Sequence, residues 1–488
     1  MLARNALLNL AGHGAPLLAA LFLVPPLVAR LDAERFGFLA LAWALVGYFS
    51  FFDLGLGRAL ARLVAERRGT PREHELPGLS RTGLSLSLAL GAAAGIVLLA
   101  AAGPLCERVL NLSPALRAEA ESALRLLAVS LPLVTVTAAL RGLLEAGERF
   151  DWVNAIRIPA GILTFAAPLA ATTGSVSLVG LAGALALVRL AAFAAHWWAC
   201  ARLWPSLAGL GVPQAAEARE MLGYGAWLTV SNVIGPLMVY IDRFVIAGLL
   251  AVSWVAYYGA PYELVTRLWL IPAALTGVLF PLMVAASPER LAALYRSGTK
   301  AVLLAVFPLA LVATVFASEW LHAWIGAEFA ARGTRVAQLL CLGAAVNCLA
   351  YLPFTVLQAR GRADLPAKAH LAELPLYLAL LWLMVSRWGI EGAALAWAIR
   401  CGADALALFA LARGAVRSGF TPSQIAAIVG ALAALALALV PLGTVAKIIY
   451  TLGGLGLFCA LAWLVLLDES ERSRARHPRA LFSGDRSR

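Results

Sequence analysis

Residues 48–68 read YFSFFDLGLGRALARLVAERR, an apolar run that turns into a charged one. At the junction stand Asp53, Gly55, Gly57 and Arg58. A carboxylate flanked by Phe51, Phe52 and Leu54 is costly in hydrocarbon unless it meets water or a partner on another helix. Arg58, five residues on and about 140° around a helix, is badly placed to be that partner. Two readings of Asp53 stay open: an inter-helix bond, or a cavity gate or ion-coupling group. The two glycines would let another backbone approach or let the helix bend.

Other charges sit deep in apolar stretches. Arg189 lies in SLVGLAGALALVRLAAFAAHWW, where its helical neighbours Leu185, Ala186, Ala192 and Phe193 cannot neutralise it. Such a guanidinium wants an anion from elsewhere, either another acid or a phosphate. Glu121–Arg125, Arg141–Glu145, Glu263–Arg267 and Arg400–Asp404 are spaced i,i+4 and can pair within one helix. Asp242 completes the deep acids with Asp53, Glu263 and Asp404. These four nearly balance the five deep arginines, Arg125, Arg189, Arg243, Arg267 and Arg400. A strongly cationic lumen therefore does not follow from charge alone.

The elements that must position these groups are membrane helices. Of 488 residues, 62% are apolar and 14% charged, and the mean hydropathy is +0.84. Soluble domains carry about 25% charge. A ruler of about 20 apolar residues per span gives fourteen segments: 6–30, 36–60, 81–105, 119–143, 153–173, 178–203, 223–249, 254–285, 298–318, 333–358, 369–386, 391–412, 424–441 and 447–467. The expected fold class is an all-α polytopic membrane protein. No cleavable signal is expected at the N-terminus, because the first apolar segment is too long and more spans follow at once.

Orientation follows from the arginines. With both termini cytoplasmic, 26 of the 39 Lys and Arg fall inside, eight outside and five within spans. The net charge of +12 thus reads as topology signal, and no nucleic-acid partner is expected. Six scattered cysteines and six histidines show no metal-ligand spacing, so no metal, cofactor or disulfide is expected. Trp197, Trp198, Trp204, Trp320 and Trp324 fall at span ends, as an aromatic belt. A faint repeat matches LLEAGERFD (143–151) to VLQARGRAD (356–364) at an offset of 213 residues, six spans apart.

Several stretches resemble bacterial polysaccharide-biosynthesis membrane proteins. They are the opening 4–66, FFDLGLGRAL within it, YIDRFVIAGLL (240–250) and LVTRLWLIPAALTGVLFP (264–281). ALRGLLEAGERFDWVNAIRIP (139–159) and GIEGAALAWAIRCGAD (389–404) add to them. The family is the Wzx-type O-antigen and lipid-linked oligosaccharide flippases of the MOP exporter superfamily, which is MATE-like. That resemblance implies an N-terminal six-helix bundle with its connecting loop over 1–222 and a second bundle over 223–422. It implies two further helices over 423–467 and a basic cytoplasmic tail over 468–488. The implied activity is flipping an undecaprenyl-diphosphate-linked oligosaccharide from the inner to the outer leaflet of the bacterial inner membrane, by alternating access.

The same resemblance makes Arg58, Arg189 and Arg267 candidate contacts to the diphosphate. Asp53, Asp242, Glu263, Arg400 and Asp404 are candidates for gating or ion coupling. Membrane lipids are expected partners, with a polysaccharide polymerase and chain-length protein as further candidates. A drug or cation antiporter would want an acid in the first span, and 6–30 has none. A lipid II flippase stays open as a close alternative. A membrane enzyme of glycan assembly would need a large external loop, and the longest here, 319–332, is too short.

Overall fold

In the computed structural model, the backbone is described for residues 2–49, 56–174, 176–207, 209–224, 226–416, 420–469 and 471–472, and side chains for these except 2–13, 49, 58 and 222–232. The described residues are overwhelmingly helical, and no strand occurs among them. Among them, nine helices are long and apolar enough to cross a membrane, with two shorter apolar helices at Gly14–Arg30 and Pro422–Leu437. Among the described residues, each segment expected to span falls largely on helix.

The helices run α1 (Leu2–Arg30), α2 (Ala33–Phe49), α3 (Leu56–Arg67), α4 (Leu76–Pro104), α5 (Pro114–Ala146), α6 (Phe150–Ala171) and α7 (Leu178–Leu203). They continue as α8 (Ala215–Tyr224), α9 (Ala226–Leu249), α10 (Val252–Val265), α11 (Leu270–Val284), α12 (Pro288–Val315) and α13 (Ala317–Ile325). The last four are α14 (Ala327–Ala359), α15 (Asp364–Ala412), α16 (Pro422–Leu437) and α17 (Thr444–Leu461). Asp53 falls outside the described residues, and of Arg58 only the backbone, in α3, is described.

Three departures from the expected segments have local causes. The segment 254–285 is broken by a 3₁₀ turn at Thr266–Trp269, between Pro261 and Pro272, whose missing N–H groups interrupt the α-helical ladder. Segments 369–386 and 391–412 join without a loop, through Trp388 and Gly389. Gly389 has φ +57°, and a Cβ on Gly392 would lie 2.0 Å from the Met384 carbonyl oxygen, so the chain reverses there. Finally, α8 and α13 are short helices in stretches expected to be connections.

The chain packs as two compact units. One comprises Met1–Leu264, Leu321–Gly333 and Ala367–Ala396, the other Val265–Trp320, Thr334–Pro366 and Trp397–Arg488. In hydrocarbon, helix association gains little from the hydrophobic effect and relies on close backbone approach and inter-helix hydrogen bonds. The first unit uses both. In α4 the stretch 91–95 reads GAAAG. A Cβ on Gly91 would meet Thr135 Oγ1 of α5 at 2.2 Å, and one on Gly95 the Ala128 carbonyl oxygen at 2.8 Å. Thr135 Oγ1 donates to the Ser87 carbonyl at 2.8 Å. The backbone of Gly57 is indeed approached, since a Cβ on Gly142 of α5 would lie 2.4 Å from its carbonyl oxygen.

The second unit is built on one face of α12, where Leu291, Tyr295, Val302, Val306 and Ala310 are buried against α14, α16 and α17. Phe307 packs on Phe458 of α17 with ring centroids 4.2 Å apart. At the far end of this unit, Lys300 donates to Asp468 at 2.9 Å and Glu471 at 2.7 Å, just beyond α17. Five of the six cysteines are buried and Cys459 is exposed.

The faint sequence repeat has matching local geometry. Arg149 N–H bonds the Leu144 carbonyl at 2.9 Å, and Glu148 N–H the Glu145 carbonyl at 2.9 Å. Arg362 N–H bonds Leu357 at 2.8 Å, and Gly361 N–H bonds Gln358 at 2.9 Å. Both turns are Schellman motifs, which close a helix through a residue of positive φ. In each, the arginine then bonds the aspartate two residues on: Arg149 to Asp151 at 2.9 and 2.8 Å, Arg362 to Asp364 at 3.1 Å.

Candidate functional site

Within the first unit, α2 lies unusually close to α9 and α10. A Cβ on Gly37 would sit 2.0 Å from the Val252 carbonyl oxygen, and one on Gly47 2.7 Å from the Tyr240 hydroxyl. A Cβ on Gly259 of α10 would lie 3.4 Å from the Ala40 methyl. These small residues bring three helices together around Arg243, whose side chain is 2% exposed. Arg243 Nη2 donates to Glu263 Oε1 at 2.9 Å. Its guanidinium lies 4.6 Å from the Tyr262 ring centroid and 5.3 Å from that of Tyr240.

Two donors of Arg243, Nε and Nη1, are shut from solvent and make no hydrogen bond to the protein. Burying a guanidinium with half its donors unmet is expensive unless water or an anion reaches them. A narrow cleft of about 20 Å³, room for about one water, lies beside it, lined by Arg243, Glu263 and apolar groups of α1, α2 and α10, with Trp43 and Trp324 at its sides. Trp324 donates its indole N–H to the Leu21 carbonyl at 2.8 Å, fixing that wall. Next to Arg243, Asp242 is fully buried and accepts from the Tyr258 hydroxyl and, at 2.7 Å, from the Arg243 N–H.

Asp242 and Glu263 are thus brought to one place, with Arg243 between them. Arg243 and the tyrosines at 240, 258 and 262 are the site residues that helix-by-helix reading misses. The available signal was the YIDR sequence of α9 together with the YYGAPYE sequence of α10.

The remaining candidates lie elsewhere. Arg189, on α7, is half-buried; its Nε is shut from solvent and makes no hydrogen bond, and it does not line the Arg243 cleft. Glu121–Arg125 and Arg141–Glu145 pair within α5, at 2.5 and 3.7 Å. Arg267, Arg400 and Asp404 belong to the second unit. Arg400 and Asp404 are buried one turn apart on α15, with Arg400 Nη2 3.4 Å from Cys401 Sγ.

Bundled apolar helices around a desolvated guanidinium define a polytopic membrane protein with a polar site in its interior, the architecture of a transporter. Comparison with known proteins narrows this. Residues 2–287 match the family described as Polysaccharide biosynthesis protein, and the chain belongs to that family. It is 31% identical over 417 residues to a Shigella flexneri protein named "Putative O-antigen transporter", covering 83% of this chain and 96% of that one. Its fold is similar to those of two solved membrane transporters. The lipid II flippase MurJ, in an inward closed conformation, aligns over 97% of this chain and 99% of its own, with TM-score 0.72 and 13% identity. An inward-facing multidrug-resistance MATE transporter aligns over 84% of this chain and 94% of its own, with TM-score 0.67 and 15% identity.

Proposed function

We propose that the chain is a flippase that moves an undecaprenyl-diphosphate-linked oligosaccharide, an O-antigen or exopolysaccharide repeat unit, from the inner to the outer leaflet of the bacterial cytoplasmic membrane. The observation that carries this reading is the 31% identity extending over 96% of the "Putative O-antigen transporter". Physics supplies the need: sugars and a diphosphate lose their hydration in hydrocarbon without compensation, so they cross only along a polar path. In this reading two six-helix bundles, 1–222 and 223–422, rock about that path, with 423–467 as two added spans and both termini cytoplasmic. The matched turns at 143–151 and 356–364 support such a repeat.

Arg58, Arg189 and Arg267 then act as contacts to the diphosphate. Asp53, Asp242, Glu263, Arg400 and Asp404 act as gating or ion-coupling groups. The test is complementation. Expression in a strain lacking its own O-antigen transporter, but retaining the matching glycan pathway, restores a ladder of long lipopolysaccharide on gels. Arg189→Ala abolishes the ladder at unchanged protein abundance. A wild-type ladder from Arg189→Ala removes that residue from the path, and no ladder with the wild-type chain at normal abundance rejects the reading. The fold likeness to the lipid II flippase favours one second reading, tested by growth rescue on depletion of that flippase.

A further inference from the structure

The two matched turns each overhang a pocket, and the pockets differ in chemistry. In the first unit, a pocket of about 210 Å³ lies among the start of α4 (Leu76), the α5–α6 turn (Leu143, Gly147) and the stretch after α7 (Trp204). In the second unit, a pocket of about 740 Å³ lies among the start of α12 (Glu289), the α14–α15 turn (Leu357, Arg360) and the end of α15 (Gly414). Leu76 and Gly147 stand 213 residues before Glu289 and Arg360, the offset of the repeat. These are corresponding places in two copies of one design.

What fills the first is aromatic. Trp204 packs so tightly on Gly147 that a Cβ there would lie 2.0 Å from its ring, and Arg68 covers the indole at 5.7 Å. The second has Arg360 where the first has glycine. Arg362 joins it in the lining; its counterpart Arg149 does not line the first pocket. Of the five N–H donors that each guanidinium carries, Arg360 uses one, to the Ala286 carbonyl at 3.5 Å. Arg362 uses one, to Asp364. Both arginines line a space ample for a phosphate ester, and Glu289 is the only acid among the described residues of the lining.

The pocket sits where four apolar segments end, at the boundary between hydrocarbon and water. By the arginine count this is the cytoplasmic boundary. Fork-shaped guanidinium pairs bind phosphate oxygens in two-point fashion. We propose that the pocket beneath the 359–364 turn binds the phosphate of a membrane-lipid headgroup, through Arg360 and Arg362. The site is separate from the Arg243 cleft and stands whether or not the chain flips a glycan.

The test uses the purified full-length chain in detergent, with bound lipid read by native mass spectrometry. Phosphatidylglycerol, phosphatidylcholine, an isoprenyl diphosphate and inorganic phosphate are added in separate arms. Retention of phosphatidylglycerol over phosphatidylcholine by about tenfold is expected, since each arginine near such a headgroup contributes appreciably. Arg360→Gln with Arg362→Gln removes the preference, and Arg68→Gln leaves it. If the double variant aggregates, Arg360→Gly, which restores the residue of the first copy, is read instead. Preferential displacement of phosphatidylglycerol by the isoprenyl diphosphate assigns the phosphate to an isoprenoid lipid. Equal displacement by inorganic phosphate overturns a lipid-borne ligand. Equal retention of the two phospholipids, or an unchanged preference in the variants, also overturns the proposal.

Discussion

Glu148 and Gly361 occupy the same point of two matched turns, 213 residues apart, with φ of +56° and +72°. The position demands the left-handed region, which costs an ordinary L-residue about 1 kcal/mol or more. The second copy meets that demand with glycine and the first does not. Glu148→Gly therefore stabilises the chain by about 1 kcal/mol and Gly361→Ala destabilises it by a similar amount. Thermal unfolding in one detergent, with both variants side by side, checks the opposite signs.

The ion pair of Arg243 with Glu263 gives a second prediction. Removing Arg243 leaves the half-buried Glu263 carboxylate without this partner, at a cost of about 1–3 kcal/mol. Arg243→Ala thus lowers thermal stability sharply and stops transport, while Arg243→Ala with Glu263→Ala recovers much of the stability without the transport. Arg243→Lys fails to restore transport, because a lysine cannot stack flat on Tyr262 while holding Glu263. A ladder assay beside a melting curve separates the two effects.

Backbone contact at Gly37 yields a third. A methyl there meets the Val252 carbonyl at 2.0 Å, and neither backbone can retreat without moving a helix. Gly37→Ala removes most folded protein from the membrane. Gly430→Ala, where nothing lies within 4 Å, leaves it at the wild-type level. Quantifying membrane-extracted monomer by fluorescence size-exclusion chromatography decides between them.

A fourth concerns acid. Burial pushes the Glu471 carboxyl up from its ordinary 4.5. The bonds from Lys300, the Asp468 N–H and Ser297 outweigh that and hold it lower. A carboxyl depressed by folding adds stability above its unfolded pKa and loses it as pH falls through the folded one. Between pH 7 and about 5 the clamp on the C-terminal segment is therefore constant. As pH falls below the ordinary carboxylate value it releases, and the segment Asp468–Arg472 becomes more open to an acid-active protease. Lys300→Met produces the same exposure at neutral pH. Limited proteolysis across the pH range, followed by mass of the trimmed product, reads it.

How far the sequence announced all this depends on the range of the interaction. The helices were legible because hydropathy over twenty residues is a local property, and so were the pairs at 121–125 and 141–145, one turn apart. The turn at 143–151 and its copy were legible from residue identity. The breaks at Thr266–Trp269 and Trp388–Gly389 were not, because hydropathy is blind to backbone angles. Arg243 was counted among the deep cations but given no partner: Glu263 is twenty residues away and reaches it from a facing helix. Spacing within one helix is silent on such contacts, and the glycines at 37 and 47 that permit them look like any others in a greasy run.

The burial of five of the six thiols makes the natural chain almost ready for site-directed chemistry. Cys459 faces outward from α17 amid apolar neighbours, where a water-soluble maleimide has poor access. A single engineered thiol in any connecting segment would report, against a quiet background, which side of the bilayer that segment occupies. The sidedness inferred above from arginines can thus be read one loop at a time, without first stripping the protein of its own sulfur.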